Sequence, residues 1–405
     1  MIRHLPHNAL ARKRLHLGVC GSVAAYKAVE IMRLLQKAGL DISVCLTQAA
    51  TRFISPLTFS SLGANPVYTR MFNDNGENTF AHLEPGRQAE ALLIAPASAT
   101  TLARLAHGLA DDLLAAQALA FNGPLLLAPA MNPNMWSHPA TRHNVKILRK
   151  RGVIFVAPES GRVACGDEGE GKLASLPEIV LAAAKALLPQ DMAGIKILLT
   201  LGPTWERWDG VRIWTNPSSG RMGAALAVCA HLRGAEVFAL AGPGVPDLPH
   251  QAHRIDVASA RQMFDAASDL WPQMDTGLFC AAVADFSPSP FGPTKYKKNG
   301  NDTELNIRFL PNPDILATLA RHSRPDQKIL GFAAETDNLE NNARAKLKSK
   351  GMGLMAANLL NVTDSGFACA NNTLFVCDCR GREEKWPPML KSDAAWRLLD
   401  WLLTL

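Results

Sequence analysis

The sequence predicts an α/β protein of two tandem domains, each a sheet of parallel strands with helices between them. Three observations carry this. At 405 residues the chain exceeds one usual hydrophobic core. Short apolar runs alternate with segments of helical period, the pattern of βαβ units. The alternation is punctuated once, at ALLPQDMAGIKILLT (186–200), where a helix ends near Leu188, Pro189 and Gly194 follow, and a new strand begins. The expected domains are therefore 1–190 and 191–405.

In the first half the strand candidates are Leu15–Cys20, Asp41–Leu46, Ala91–Ala95, Leu125–Ala128 and Val153–Val156. Each ends in turn or polar residues (GS, TQ, PAS, PAMN, PES), and in open α/β sheets ligands bind beyond the carboxyl ends of the strands. Those five endings should converge on one site. The start, MIRHLPHNALARKRLHLGVCGSVAA, has the basic, apolar, small order of a signal peptide. Its apolar run is short and holds His16 and two glycines, so a strand entering a glycine turn explains it better. In the second half the candidates are IKILLT (195–200), Glu236–Leu240, Gly277–Ala282, Lys328–Ala333, Gly353–Ala356 and Thr373–Cys377, closed by a helix over Lys391–Leu403. Residues 285–300, DFSPSPFGPTKYKKNG, are rich in proline, glycine and lysine with no apolar period and read as a mobile loop.

Apolar content of 48% and charged content of 19% are those of a soluble globular protein, and no run reaches the ~18 apolar residues of a membrane span. A net charge of +6 with both signs interspersed does not argue for nucleic acid. The eight cysteines include no CxxC pair, so zinc spacing is absent, and they read as reduced thiols of a cytoplasmic protein.

GSVAAY (21–26) follows the first strand and opens a helix, where backbone N–H groups at Gly21 and Ser22 can hold a phosphate. Thr47 and Ser98 end two further strands and add hydroxyls. The dinucleotide fingerprint GxGxxG is missing, which favours a mononucleotide such as FMN over NAD. GDEGEGKL (166–173) nearly spells a P-loop. Leu173 stands where Ser or Thr must hold magnesium, and Asp167, Glu168 and Glu170 would repel a phosphate, so that reading is rejected. Taken singly, His82 reads as a loop histidine, Asn132 as a turn former at a strand end, and Cys165 as a thiol in a glycine-rich, exposed loop. Taken together, His82 in FAHLEP, Asn132 in PAMN and Cys165 in SGRVACGDEGEGK resemble the catalytic set of flavin-dependent phosphopantothenoylcysteine decarboxylases. The resemblance implies that His82 works on the substrate at a subunit interface, that Asn132 binds the substrate carboxylate, and that Cys165 on a substrate clamp gives the final proton. Bound flavin would supply the electron sink that an unactivated α-carboxylate lacks.

In the second half GPT (202–204) follows a strand, and Ser218, Ser219 and Gly220 open a helix with Arg221 adding charge, an anion site. GPTWERWDGVRIWTNPSSGRMG (202–223) resembles phosphopantothenate–cysteine ligase, and the whole chain thereby resembles the bifunctional enzyme of coenzyme A biosynthesis. The resemblance implies a flavodoxin-like first domain and a Rossmann-like second one. It also implies CTP and Mg2+, with an acyl-cytidylate held by Asn216. Asp285, Phe332, Lys346 and Lys350 would meet the nucleotide, and Lys295 would offset charge as pyrophosphate leaves. No magnesium ligand is assignable from the sequence. Trp205, Arg207 and Gly210 depart from the usual GPTREPxDPVR string, and Gly353, Leu359 and Ala370 from the DxxxAND and GFxxDN strings. Assembly into a homo-oligomer, trimer-based through the first half and dimeric through the second, is likewise implied by resemblance. Two rivals are a regulatory scaffold on the flavin fold, which would not need all three catalytic residue types, and a flavin prenyltransferase, which would need neither the Cys165 clamp nor a ligase partner.

Overall fold

The computed structural model describes residues 1–72, 80–298, 304–359 and 369–405. It forms two compact units: His7–Pro189 with residue 2, and Gln190–Leu405 with residues 1 and 3–6. No described helix is long and apolar enough to cross a membrane.

In the first unit β1 (Arg14–Val19), β2 (Asp41–Leu46), β3 (Val67–Tyr68), β4 (Ala91–Ala97), β5 (Leu125–Pro129) and β6 (Ile154–Phe155) form one parallel sheet ordered β3-β2-β1-β4-β5-β6. Setting aside the two-residue β3, this is the flavodoxin order. Every residue of β4 is buried, as a strand covered on both faces requires, which is why ALLIAPA is an unbroken apolar run. Because all six strands are parallel, their carboxyl ends share one edge. Gly21–Ser22, Thr47, Ser98 and Ala130–Asn132 all emerge there. Strand β3 was not expected; two residues carry no readable period. Residues 159–172, expected as a glycine-rich loop, form an antiparallel hairpin of β7 (Glu159–Arg162) and β8 (Glu168–Lys172). Charged, glycine-rich strands carry little intrinsic propensity, and the ladder comes from pairing.

The second unit carries β9 (Lys196–Leu201), a short ribbon of β10 (Glu206–Arg207) and β11 (Ile213–Trp214), then β12 (Glu236–Ala241), β13 (His253–Asp256) and β14 (Thr276–Phe279). A second ribbon, β15 (Phe286–Pro288) with β16 (Phe309–Pro311), precedes β17 (Lys328–Glu335), β18 (Leu354–Leu359), β19 (Asn371–Asp378) and β20 (Glu383–Leu390). The main sheet runs β13-β12-β9-β14-β17-β18-β19-β20. Its six parallel members have the doubly wound Rossmann order, and β19 and β20 extend it antiparallel. Side chains alternate between two cores: Ile197, Leu199, Leu354, Ala356, Leu374 and Val376 pack on one face, Leu198, Met355, Ala357, Phe375 and Cys377 on the other. Strand β20 escaped the sequence pattern because EEKWPPML holds three charges and two prolines, tolerable only on an edge. The expected strand Gly277–Ala282 stops at Phe279, and its last residues bend into the site. The segment expected as a mobile loop begins in the β15–β16 ribbon; its residues 299–300 lie outside the described residues.

Candidate active sites

At the carboxyl edge of the first sheet, a cleft of about 370 Å³ is bounded by Ser22, Val23, Tyr26, Lys27, Met131, Asn132, Arg162, Cys165 and Leu173 among others. One wall is the turn after β1. Ser22 accepts a hydrogen bond from the Ala24 N–H at 3.2 Å and starts a helical turn leading into the helix Lys27–Lys37. The other wall is the β7–β8 hairpin, which docks on the end of β5 through Met131 N–H donating to the Gly171 carbonyl at 2.9 Å. Gly171 sits at φ +152°, and a Cβ there would run into the Met131 carbonyl oxygen, so the docking needs glycine.

This docking brings Asn132 and Cys165, 33 positions apart, together. The Asn132 amide donates to Cys165 Sγ at 3.3 Å and to Asp167 Oδ2 at 2.5 Å, while its Oδ1 accepts from the Asn134 N–H at 2.8 Å. Cys165 Sγ donates to the same Asp167 oxygen at 3.5 Å. Asp167 was not among the expected site residues; the available signal was its place two positions after Cys165 in the same tight turn. Lys27, Arg162 and Lys172 make the cleft cationic, and Val23, Tyr26, Met131 and Leu173 give it an apolar wall. That donor set fits a phosphorylated flavin: cations and a helical start for the phosphate, apolar side chains for the ring.

Four expected residues lie outside the lining: Gly21, one position before Ser22, and Thr47, Ser98 and His82. The Thr47 hydroxyl accepts from Ala50 N–H at 3.2 Å, and Ser98 caps the helix Ala99–His107 by accepting from Thr101 N–H at 3.2 Å. Both end strands on the correct edge, with hydroxyls already engaged locally. His82 is half-buried in the turn before the helix Glu84–Gln88. That turn is tied from beneath. His16, fully buried in β1, holds Ser43 at 2.7 Å and Gln117 at 3.0 Å, and the Gln117 amide donates to the Ala81 carbonyl at 2.9 Å. The Tyr68 hydroxyl donates to Glu84 at 2.6 Å on the far side of the turn.

In the second unit two neighbouring cavities open beyond β9, β14 and β17. The first is lined by Asn216, Ser218, Ser219, Gly220, Arg221, Phe332, Asn358, Asn372 and Lys391 among others, at the start of the helix Arg221–Leu232. Asn216 is turned onto backbone carbonyls, donating to Val283 at 3.0 Å. Lys391 and Asn372 were missed from sequence. Lys391 is 6% exposed, donates to the Cys369 carbonyl at 2.6 Å, and burial pushes its ammonium pKa down. Asn372 is 4% exposed, and its Oδ1 has no hydrogen-bond partner among the described residues. Asn372 directly follows the stretch that stands for the GFxxDN string, and Lys391 lies further on with no simple motif around it. The second cavity is lined by Asp285, Asn312, Asp314, Phe332, Lys346 and Lys350 among others. Its lysines are ion-paired, Lys346 with Glu335 at 2.6 Å and Lys350 with Asp314 at 3.0 Å. Asp285 is exposed there, six residues past the end of β14. Among the described residues no group of three metal-ligating side chains stands ready for a cation.

Lys295 lines neither cavity. Its neighbour Tyr296 is held in place: the buried Asp209 carboxylate accepts from the Tyr296 N–H at 3.0 Å, from the Val211 and Arg212 N–H groups at 2.7 and 2.6 Å, and from the Arg212 guanidinium at 2.5 Å. Despite burial, these donors hold the Asp209 pKa well below the usual carboxylate range. Trp208, Phe291 and Tyr296 pack as an aromatic cluster with centroids 5.2–5.7 Å apart. The other acid of the motif, Glu206, is structural: it accepts from Ala260 N–H at the start of the helix Ala260–Leu270, at 2.9 Å.

Residues 4–188 match the family model described as Flavoprotein, and residues 192–405 the one described as DNA/pantothenate metabolism flavoprotein C-terminal domain. The chain is 36% identical over 396 residues, 98% of each chain, to the coenzyme A biosynthesis bifunctional protein CoaBC of Vibrio vulnificus. It is 39% identical over 370 residues, 91% of each chain, to that of Escherichia coli K12. A solved C-terminal domain of a protein of that name superposes with a TM-score of 0.45 at 31% identity, over 53% of this chain and 97% of that one.

Proposed function

Because this chain belongs to the CoaBC family of bifunctional coenzyme A biosynthesis proteins, we propose how its residues divide the two reactions. It is an enzyme with a phosphopantothenate–cysteine ligase and a phosphopantothenoylcysteine decarboxylase activity, and it carries a flavoprotein domain. We assign decarboxylation to residues 1–190 and ligation to 191–405.

In the first domain FMN is the cofactor, supplying the electron sink for carbon dioxide loss. Gly21, Ser22 and Lys27 hold its phosphate, and Thr47 and Ser98 border it. Asn132 receives the substrate carboxylate, Cys165 delivers the last proton, and His82 assists from a neighbouring subunit. The observation that carries this assignment is the meeting of Asn132 and Cys165 at 3.3 Å on the rim of one cationic cleft. The position of His82 outside that cleft's lining is consistent with service across an interface.

In the second domain CTP, with Mg2+, activates 4'-phosphopantothenate as an acyl-cytidylate, and the cysteine amine attacks it. The helix start at Ser218–Gly220, with Arg221 and Lys391, supplies anion contacts. Asn216 holds the intermediate, Asp285, Phe332, Lys346 and Lys350 contact the nucleotide, and Lys295 closes on it. Mg2+ arrives on the nucleotide phosphates. We place the enzyme in the cytoplasm as a homo-oligomer, trimer-based through the first domain and dimeric through the second.

The test is incubation with 4'-phosphopantothenate, L-cysteine and either CTP or ATP, with Mg2+, followed by mass analysis. The expected product is 4'-phosphopantetheine, formed faster with CTP. Recovery of unaltered 4'-phosphopantothenate from a protein that carries FMN would overturn the ligase assignment. Arrest at phosphopantothenoylcysteine would overturn the decarboxylase one.

A further inference from the structure

The hairpin tip points to one more residue in the decarboxylase chemistry, and the inference rests on the reading that Asn132 receives the substrate carboxylate. We propose that Asp167 occupies that carboxylate's place on Asn132 in the free enzyme and is exchanged for it when substrate binds. The Asn132 side chain has its oxygen committed to the Asn134 N–H at 2.8 Å, so its amide nitrogen is what it can offer an acid. That nitrogen already serves a carboxylate, Asp167 Oδ2 at 2.5 Å. A second carboxylate on the same donor would face a like charge at hydrogen-bonding range, so the two exclude one another.

The exchange moves more than one side chain. Asp167 and Cys165 ride on the same tip: Val163 N–H donates to the Asp167 carbonyl and Gly166 N–H to the Val163 carbonyl, each at 2.9 Å, and Cys165 Sγ lies 3.5 Å from Asp167 Oδ2. The base of the hairpin stays anchored through Gly171 and Met131. While a substrate carboxylate holds Asn132, Asp167 is displaced, and the thiol with it. When the carbon–carbon bond breaks, carbon dioxide leaves neutral and its bonding pair stays on the remaining fragment. The Asn132 donor is then vacant. Asp167 returns, and Cys165 comes back to within 3.3 Å of the Asn132 amide, where its S–H proton passes to the fragment. The thiolate left behind is reprotonated from water at the exposed tip. Proton delivery thereby follows decarboxylation.

The test is calorimetric titration of the FMN-loaded full-length protein with two ligands. One is the serine analogue of phosphopantothenoylcysteine, which keeps the carboxylate and lacks the thiol. The other is 4'-phosphopantetheine, which lacks the carboxylate. Asp167→Ala should bind the first about tenfold more tightly, the scale of removing a charged hydrogen-bond competitor, and leave the second within about twofold. Asp167→Asn should fall between, because its amide oxygen still accepts but carries no charge. An equal change for both ligands, or no tightening of the first, overturns the exchange. Asn132→Ala separates the two levels. If it leaves the serine analogue's affinity unchanged, the carboxylate reading of Asn132 fails and takes the inference with it. If it weakens that ligand while Asp167→Ala does not tighten it, the inference alone fails.

Discussion

At the scale of single residues, burial decides which polar groups serve chemistry and which serve the frame. Desolvation lowers both His16 and His4 to a pKa of about 4, so they are neutral in the folded state. The folded value lies below the unfolded value of 6.5, so the unfolded chain binds more protons between pH 4 and 6.5. The stability these groups allow is complete above 6.5 and is lost as pH falls towards 4. Each contributes about 1.4 kcal/mol per pH unit in that window. Denaturant titrations from pH 7 to 4.5 should show this slope, and His16→Gln should remove about half of the two-histidine component. An unchanged slope would mean that His16 is not the neutral buried group described. A second residue-scale expectation concerns Cys165. Cys165→Ala should bind FMN and still release carbon dioxide, because the thiol acts last, and mass analysis should find an oxidised product lighter by one hydrogen pair. Normal product at near wild-type rate would remove Cys165 from the proton-transfer step.

At the scale of elements, the segment that carries Lys295 is anchored where its composition reads as mobile. A departure from the family string explains part of this. Gly210 stands where proline is usual, and a Cβ at that position would run into the Pro293 carbonyl oxygen. With Asp209 on the Tyr296 N–H and the Trp208–Phe291–Tyr296 cluster, Gly210 lets the loop lie down on the β10–β11 ribbon segment. Lys295→Gln should slow acyl-cytidylate formation on the order of 10²–10³-fold, the usual effect of losing a charge contact made in the transition state. Gly210→Ala should slow the same step less, about tenfold, by displacing the loop that bears the lysine. Pyrophosphate release measures both. Decarboxylation of added phosphopantothenoylcysteine should be unchanged in each, and its loss would show that the division of labour is wrongly drawn.

At the scale of the whole molecule, two compact units each own a core and a site, and each expected site residue falls within a single unit. The reactions should therefore separate. Removing FMN by mild acid treatment should abolish carbon dioxide release and spare ligation, measured as accumulating phosphopantothenoylcysteine. Residues 190–405 expressed alone should fold and make the same compound from 4'-phosphopantothenate, cysteine and CTP. Decarboxylation should need an oligomer, since His82 is assigned to a neighbouring subunit's site; a monomer by light scattering with full decarboxylase activity would contradict that.

The sequence by itself determined the alternation of strands and helices, the carboxyl edge as the place where sites form, and the residue types at those strand ends. These depend on local periodicity and on short apolar runs such as ALLIAPA, which have one stable environment, the middle of a covered sheet. The motif strings Asn132, Cys165 and Ser218–Gly220 were legible because their residues are adjacent in the chain or keep a family's spacing. Tertiary structure decided what lies across the chain. It brought Asp167 onto Asn132 through the docking of Gly171 on Met131, and it added Lys391 and Asn372 to a cavity from strands and helices far along the chain. It also turned the acids of GPTWERWD into structural groups, Glu206 on a helix start and Asp209 on the Lys295 loop, and gave Thr47 and Ser98 local hydrogen bonds. No periodicity encodes these contacts. They follow from buried polar atoms finding partners wherever the packed backbone presents them, and that is settled only when the sheet has closed.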